Sequence, residues 1–131
     1  MRIIAGKWRG RVLVAPAGQK TRPTVERVRQ ALFDRLMHAP WGGRGVIEGA
    51  RVLDVFAGTG ALGLEALSRG AAHATFMEPD SAALAALRAN IAACRAEATV
   101  LAGDARRPPP GTGCRLVFLD PPLGRISCAR P

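Results

Sequence analysis

A glycine-rich segment between a predicted strand and a predicted helix has the spacing of a cofactor-binding turn. Residues 58–63 are GTGALG and satisfy the pattern G-x-G-x-x-G. Gly58 and Gly60 allow the backbone to approach a ligand without a Cβ in the way, and Thr59 lies between them. Several classes of nucleotide cofactor share this pattern, so the neighbouring residues must decide among them.

Asp54 favours a cationic cofactor. It lies four residues before Gly58, inside a strand predicted over 51–56, so its carboxylate should face the crevice at the carboxyl edge of the sheet. NAD and FAD place an anionic pyrophosphate there, which a carboxylate would repel. S-adenosylmethionine brings a positive ammonium and a positive sulfonium instead. Asp54 therefore predicts S-adenosylmethionine as the cofactor.

Three further acidic residues lie at or just after the ends of predicted strands. Glu78 lies 20 residues after Gly58, the spacing of the acid that holds ribose hydroxyls. Asp104, which precedes Ala105, can accept a hydrogen bond from the adenine amine. Asp120 begins the sequence Asp-Pro-Pro, in which the carboxylate and a proline carbonyl can both accept from one NH2 group. Because the prolines restrict the backbone, these acceptors would orient the nitrogen lone pair towards a methyl group. The predicted catalytic residues are Asp120, Pro121 and Pro122.

Strands and helices alternate from residue 51 onwards, which predicts a parallel sheet with helices on both faces. The predicted crossover before the fourth strand contains Pro108–Pro110 and cannot form a normal helix. We predict strands over 51–56, 74–78, 99–102 and 115–120, and helices over 61–69 and from Asp80 or Ser81 to about Cys94.

The segment before the linker at residues 40–43 has a different pattern. Residues 2–15 predict two short strands in a hairpin-like arm, and a helix follows with Thr24 as its N-cap. Arg27 and Arg29 lie off the apolar stripe of this helix and should face outward. We therefore divide the chain into an arm and helix over 1–43 and a cofactor-binding domain over 44–131. The predicted apolar stripe consists of Val25, Val28, Leu32, Phe33 and Leu36.

Positive charge is concentrated in the first 29 residues. The chain has a net charge of +9, and residues 1–29 carry +7 of it. A basic stretch beside a nearly neutral domain is typical of a polyanion binder. Three cysteines without C-x-x-C spacing predict neither a disulfide framework nor a metal site. Since there is no signal-peptide pattern and no apolar run that could span a membrane, we expect a cytoplasmic protein without membrane contact.

Four segments together resemble the bacterial 16S rRNA guanine-N2 methyltransferase family, a class I group that uses S-adenosylmethionine. The resemblance covers residues 1 to about 124, and the first two segments are the most specific. These segments are RIIAGKWRGR at 2–11, RPT at 22–24 with RVRQALF at 27–33, VLDVFAGTGALGLEALSRG at 52–70, and DPP at 120–122.

The resemblance implies a Rossmann-like fold and transfer of a methyl group to the exocyclic N2 of a guanine in 16S rRNA. It implies cofactor contacts at Asp54, Gly58, Thr59, Gly60, Glu78, Asp104 and Ala105, and catalysis at Asp120, Pro121 and Pro122. The partner would be ribosomal RNA, in an assembling small ribosomal subunit, bound by a monomer. The implied RNA contacts are Arg2, Lys7, Arg9, Arg11, Arg22, Arg27 and Arg29.

Two departures from the family favour an alternative, a catalytically weak or inactive member that retains cofactor or RNA binding. Leu123 stands where the family has an aromatic residue that stacks on the base. The chain also ends after its fourth predicted strand, whereas the resembled enzymes have seven, so we expect an incomplete sheet. A further alternative is an amino-methyltransferase acting on DNA adenine or protein glutamine, against which the basic arm argues.

Overall fold

The computed structural model describes residues 1–15, 23–38, 46–102 and 116–119. An N-terminal arm, residues 1–15, precedes three helices and four strands. Their bounds are α1 (Pro23–His38), β1 (Arg51–Val55), α2 (Ala61–Ser68), β2 (His73–Met77), α3 (Ser81–Cys94), β3 (Ala98–Leu101) and β4 (Leu116–Leu119).

The four strands form one parallel sheet of order β3-β2-β1-β4. Val55 pairs with Met77 on one side and with Leu119 on the other, so the carboxyl ends of three strands are level. The predicted strands and α2 are confirmed to within one or two residues. Asp80 caps α3, as predicted, because its Oδ2 accepts a hydrogen bond from the Ala83 N–H at 2.9 Å.

The described helices all pack on one face of the sheet. Phe33 of α1, Leu64 of α2 and Leu87 of α3 belong to one buried cluster with Phe76 and Phe118 of the strands. The opposite face forms a smaller buried cluster around Leu53, Val55 and Met77, to which no residue of a described helix contributes.

The handedness of the crossovers explains this arrangement. Right-handed connections from β1 to β2 to β3 progress in one direction, so they place α2 and α3 on the same face. The return from β3 to β4 runs in the opposite direction across the sheet. Its residues 103–115, including the three prolines, lie outside the described part, so the expected cover of the other face stays a prediction.

Helix α1 is rotated relative to the predicted stripe. Phe33 is fully buried and Leu36 half-buried, but Val28 and Leu32 are 53% and 37% exposed. The inward face instead includes Arg29, one turn before Phe33, and the expectation that Arg29 faces outward was wrong. The helix also begins at Pro23, one residue before the predicted cap at Thr24, since proline suits the first helical position.

The arm is a hairpin, as predicted, but its two segments share only one antiparallel bridge, between Arg2 and Val12. Backbone hydrogen bonds from Ile3 N to Arg11 O and from Leu13 N to Met1 O complete the pairing. Ile3 and Leu13 are buried in the same cluster as the helices and the sheet. The arm therefore packs into the core, and the division of the chain at residue 43 stays a prediction.

Glu65, on α2, attaches the arm and α1 to the domain. Its carboxylate is fully buried and accepts hydrogen bonds from the N–H groups of Ile4 and Ala5 at 2.8 and 3.1 Å. It also forms ion pairs with Arg69 at 2.9 Å and with Arg29 at 3.4 Å. Burial lowers the pKa of the Arg29 guanidinium, while Glu65 opposes that shift. Arg29 is thus buried because it helps to neutralise Glu65.

Glu65→Gln should destabilise the fold strongly. The two arm N–H groups bond to different oxygens of the carboxylate, and in the amide one of these oxygens is replaced by an NH2 group, which cannot accept. Two buried arginines would also lose their counter-charge. We expect a loss of about 3–5 kcal/mol in the free energy of unfolding, measured by chemical denaturation. Glu26→Gln is the matched control, since the Glu26 side chain is 34% exposed and pairs with the N-terminus at 3.9 Å. It should cost less than about 1 kcal/mol; equal losses would contradict this account of Glu65.

Candidate cofactor site

The turn from β1 to α2 depends on residues with positive φ. Phe56, Gly58 and Gly60 have φ angles of 56°, 58° and 84°. Hydrogen bonds from Ala57 N to Met77 O and from Gly60 N to Ala57 O, at 2.9 and 2.8 Å, hold the turn against the end of β2. The predicted glycine turn is therefore present between a strand and a helix.

The two glycines of the turn have different surroundings. A Cβ on Gly60 would lie 2.5 Å from Leu87 Cδ1, because the turn is packed against α3. A Cβ on Gly58 would meet no described atom within 4 Å. The open side of the turn is thus at Gly58, where a ligand could approach the backbone, while Gly60 allows close packing.

Asp54 lies at the carboxyl edge of the sheet, where it was predicted. Its side chain is 1% exposed, and its Oδ2 accepts a hydrogen bond of 3.0 Å from the Gly63 N–H in the first turn of α2. A carboxylate at the start of a helix is stabilised by the helix dipole. This arrangement keeps a negative charge beside the glycine turn.

Glu78 follows β2 directly and lies against the same turn. Its Oε1 accepts from the Gly58 N–H and its Oε2 from the Asp80 N–H, both at 2.8 Å. The residue is 7% exposed. Two acidic residues, Asp54 and Glu78, therefore flank the turn from neighbouring strands, as their positions in the sequence predicted.

A contact between α3 and the turn was not predicted from the sequence. Asn90 is 1% exposed, and its Nδ2 donates a hydrogen bond of 2.9 Å to the Thr59 carbonyl. The signal was available, because Asn90 continues the buried stripe of Ala83 and Leu87 in an otherwise apolar helix face. A polar residue at such a position requires partners.

The remaining predicted site residues lie outside the described part of the chain. These residues include the predicted adenine contacts and the Asp-Pro-Pro segment. The structure describes β4 up to Leu119, which pairs with Val55 at the carboxyl edge. They are Asp104, Ala105, Asp120, Pro121, Pro122, Leu123 and the basic Arg22.

Most of the described basic residues of the predicted RNA surface are exposed. Lys7 and Arg9 lie in the loop of the arm, with the Lys7 ammonium 4.7 Å from the Trp8 ring centroid. Arg11 is exposed as well, and its guanidinium donates to the Ala93 carbonyl near the end of α3. Arg2 and Arg27 complete the exposed set, whereas Arg29 is buried against Glu65.

Other reactive groups are few in the part of the chain that the structure describes. Cys94 is buried and free, and burial raises the pKa of its thiol. Within the described ranges, no group of three or more His, Cys, Asp or Glu residues is placed to hold a metal ion. The helices of these ranges include none with the length and apolar character needed to cross a membrane.

The sheet order, the glycine turn after β1 and the acid after β2 are those of a Rossmann-like protein, with a candidate cofactor site at the carboxyl edge. The family described as Conserved hypothetical protein 95 matches residues 1–128. The chain belongs to this family, and the resemblance to bacterial rRNA methyltransferases is confirmed.

Individual relatives agree with this assignment. The chain is 48% identical over 128 residues to Ribosomal RNA small subunit methyltransferase D of Escherichia coli K12. The match covers 95% of this chain and 61% of that protein. The chain thus spans less than two thirds of this relative's length.

Solved structures are similar too. A hypothetical protein of Thermus thermophilus superposes with a TM-score of 0.66 and 40% identity, covering 81% of this chain and 57% of that one. The 16S rRNA N2 G1207 methyltransferase of T. thermophilus, solved with AdoMet and guanosine, has a TM-score of 0.51 and 30% identity. That match covers 67% of this chain and 22% of the methyltransferase.

Alanine substitutions should separate the two glycines of the turn. Gly58→Ala introduces a Cβ at positive φ into open space and should cost about 1–2 kcal/mol of unfolding free energy. Gly60→Ala adds a clash with Leu87 to the same strain, which should cost roughly a further 1–3 kcal/mol. Thermal and chemical denaturation measure both. Equal losses would show that the packing of α3 does not limit residue 60.

Proposed function

We propose that this chain binds S-adenosylmethionine at the glycine turn, as the cofactor-binding part of an enzyme that methylates the N2 of a guanine in 16S rRNA. The observation that carries the proposal is the position of the Glu78 carboxylate, which accepts the Gly58 N–H on the open side of the turn. Similarity to the E. coli small-subunit rRNA methyltransferase supports the reaction and the substrate.

The described residues fit this cofactor. Each oxygen of a carboxylate can accept more than one hydrogen bond, so Glu78 can keep its two N–H donors and also accept from ribose hydroxyls. Asp54 supplies negative charge near the same edge, which suits an ammonium and a sulfonium and disfavours a pyrophosphate. The open space at Gly58 allows a ligand to contact the backbone.

Methyl transfer requires an orienting group for the acceptor amine. When bound, S-adenosylmethionine supplies an electrophilic methyl group on sulfur. We assign Asp120, Pro121 and Pro122 to the substrate side, where their oxygens would accept from the guanine amine and direct its lone pair towards that methyl. The position of β4 beside β1 supports this assignment, because β4 ends next to the strand that carries Asp54. Asp104 and Ala105 are assigned to the adenine.

The arm is proposed to contact RNA. Its exposed cations, Lys7 and Arg9 above all, can bind phosphate oxygens and so provide affinity that does not depend on base sequence. The target base must leave its stack to reach a cofactor in a pocket. Arg29 is not included, because its guanidinium is buried against Glu65.

Cofactor binding can be tested by calorimetry with S-adenosylhomocysteine and with NAD. The wild-type chain should bind S-adenosylhomocysteine more tightly than NAD. Glu78→Ala should weaken S-adenosylhomocysteine binding by roughly 10- to 100-fold, since hydrogen bonds to a charged group are lost. Glu97→Ala, which removes an exposed carboxylate just before β3, is the matched control and should leave the affinity unchanged. Tighter binding of NAD would refute the assignment.

RNA binding can be tested through its salt dependence. Replacing Lys7 and Arg9 by Ala should weaken binding of 16S rRNA and reduce the slope of log K against log salt by about 1.4–1.8, the value for two lost phosphate contacts. The control replaces Arg51 and Arg88, which are exposed on β1 and α3. Filter binding at several salt concentrations gives both slopes. An unchanged slope in the arm variant would mean that the arm does not contact the RNA.

A further inference from the structure

The buried side chain of Asn90 connects the arm, which is proposed to contact RNA, with the glycine turn, which is proposed to bind the cofactor. Its Oδ1 accepts a hydrogen bond of 2.7 Å from the Val14 N–H, and its Nδ2 donates one of 2.9 Å to the Val14 carbonyl. The same Nδ2 donates a second bond of 2.9 Å to the Thr59 carbonyl. One amide therefore contacts the arm at Val14 and the glycine turn at Thr59.

The arm and the turn together determine which way this amide is oriented, because the Val14 N–H needs the amide oxygen and the Thr59 carbonyl needs the amide nitrogen. The Val14 N–H can pair only with the Asn90 oxygen, which obliges Nδ2 to face the two carbonyls. A rotation of the amide by 180° would place Nδ2 against the Val14 N–H and remove the donor from the Val14 carbonyl. With the arm in place, both hydrogens of Nδ2 and the oxygen have partners.

The Thr59 carbonyl belongs to the peptide between Thr59 and Gly60, in the middle of the cofactor turn. The orientation of that peptide also sets the direction of the Gly60 N–H, which bonds to Ala57 O. The arm reaches this part of the turn a second time, since the Thr59 hydroxyl lies 3.5 Å from Met1 Sδ. Displacement of the arm would thus remove two of the three hydrogen bonds of the Asn90 amide and weaken the third, which holds the turn.

We propose that Asn90 is a positioning residue that couples the arm to the cofactor turn, so that RNA bound to the arm and S-adenosylmethionine bound to the turn raise each other's affinity. The proposal rests on the proposed function. The two states are an arm docked on Asn90 and an arm released from it. Because binding free energies are linked, a ligand that favours the docked arm at either site must favour binding at the other.

The test compares two variants that weaken the arm at different places. Asn90→Asp keeps an acceptor for the Val14 N–H but removes the donor to Thr59 and Val14. Ser68→Ala removes the hydroxyl that accepts from Trp8 N and donates to Ala5 O, far from the turn. Calorimetry measures the affinity of each for S-adenosylhomocysteine with and without saturating 16S rRNA, and denaturation measures the loss of stability.

We expect Asn90→Asp to weaken S-adenosylhomocysteine by about tenfold or more and to abolish the effect of RNA on that affinity. Ser68→Ala should change the affinity for S-adenosylhomocysteine by less than about threefold and keep the effect of RNA on that affinity. If both variants lose affinity in proportion to their loss of stability, Asn90 is only structural and the proposal fails. An absence of S-adenosylhomocysteine binding in the wild type would instead refute the proposed function.

Val14→Pro provides a second route to the same answer if Asn90→Asp does not fold. It removes the N–H that bonds to the Asn90 oxygen and fixes φ at residue 14, where the side chain is 55% exposed, and it leaves Asn90 itself intact. We expect this variant to lose S-adenosylhomocysteine affinity in the same direction as Asn90→Asp. Unchanged affinity together with an unchanged effect of RNA would overturn the coupling.

Discussion

The structure depends on one buried carboxylate, that of Glu65. An unpaired charge in the interior would be prohibitively costly, so its partners must be brought to it from three parts of the chain. The arm supplies two backbone N–H groups, α1 supplies Arg29, and Arg69 lies one turn further on from Glu65, just after α2. The same requirement sets the rotation of α1 and the position of the arm, and therefore decides which basic residues remain available to a polyanion.

The cofactor site uses backbone N–H groups in a comparable way. Asp54 is held by the first turn of α2, and Glu78 by the turn itself and by the residue that caps α3. Each carboxylate is thereby oriented before a ligand arrives, which reduces the entropy that binding must overcome. The carboxylates of the candidate site are thus held by hydrogen bonds, while the backbone at Gly58 faces open space among the described residues.

Asn90 connects the arm with the glycine turn through hydrogen bonds to Val14 and Thr59. The arm is attached to α2 at Glu65 and Ser68, and to α3 at Asn90. The attachment at Asn90 also contacts the glycine turn. Under the proposed function, this hairpin would meet RNA on its exposed side while its buried side contacts the glycine turn. The segment proposed to contact RNA is thus also packed against the candidate cofactor site.

Sequence patterns were enough to predict the parallel sheet, the turn, and the placement of Asp54 and Glu78. These features depend on local patterns, namely apolar strand segments, glycines at fixed spacing and acids at strand ends, which parallel pairing brings to one edge. Long-range packing, by contrast, buries Arg29, leaves Val28 and Leu32 exposed, and lets Asn90 join the arm to the turn. Helical periodicity predicts that a charged residue faces outward. It carries no information about a buried partner distant in sequence, and the partner of Arg29, Glu65, lies 36 residues away. Long-range pairing of polar groups is decided by packing, because a polar group can be buried only where the fold supplies its partner.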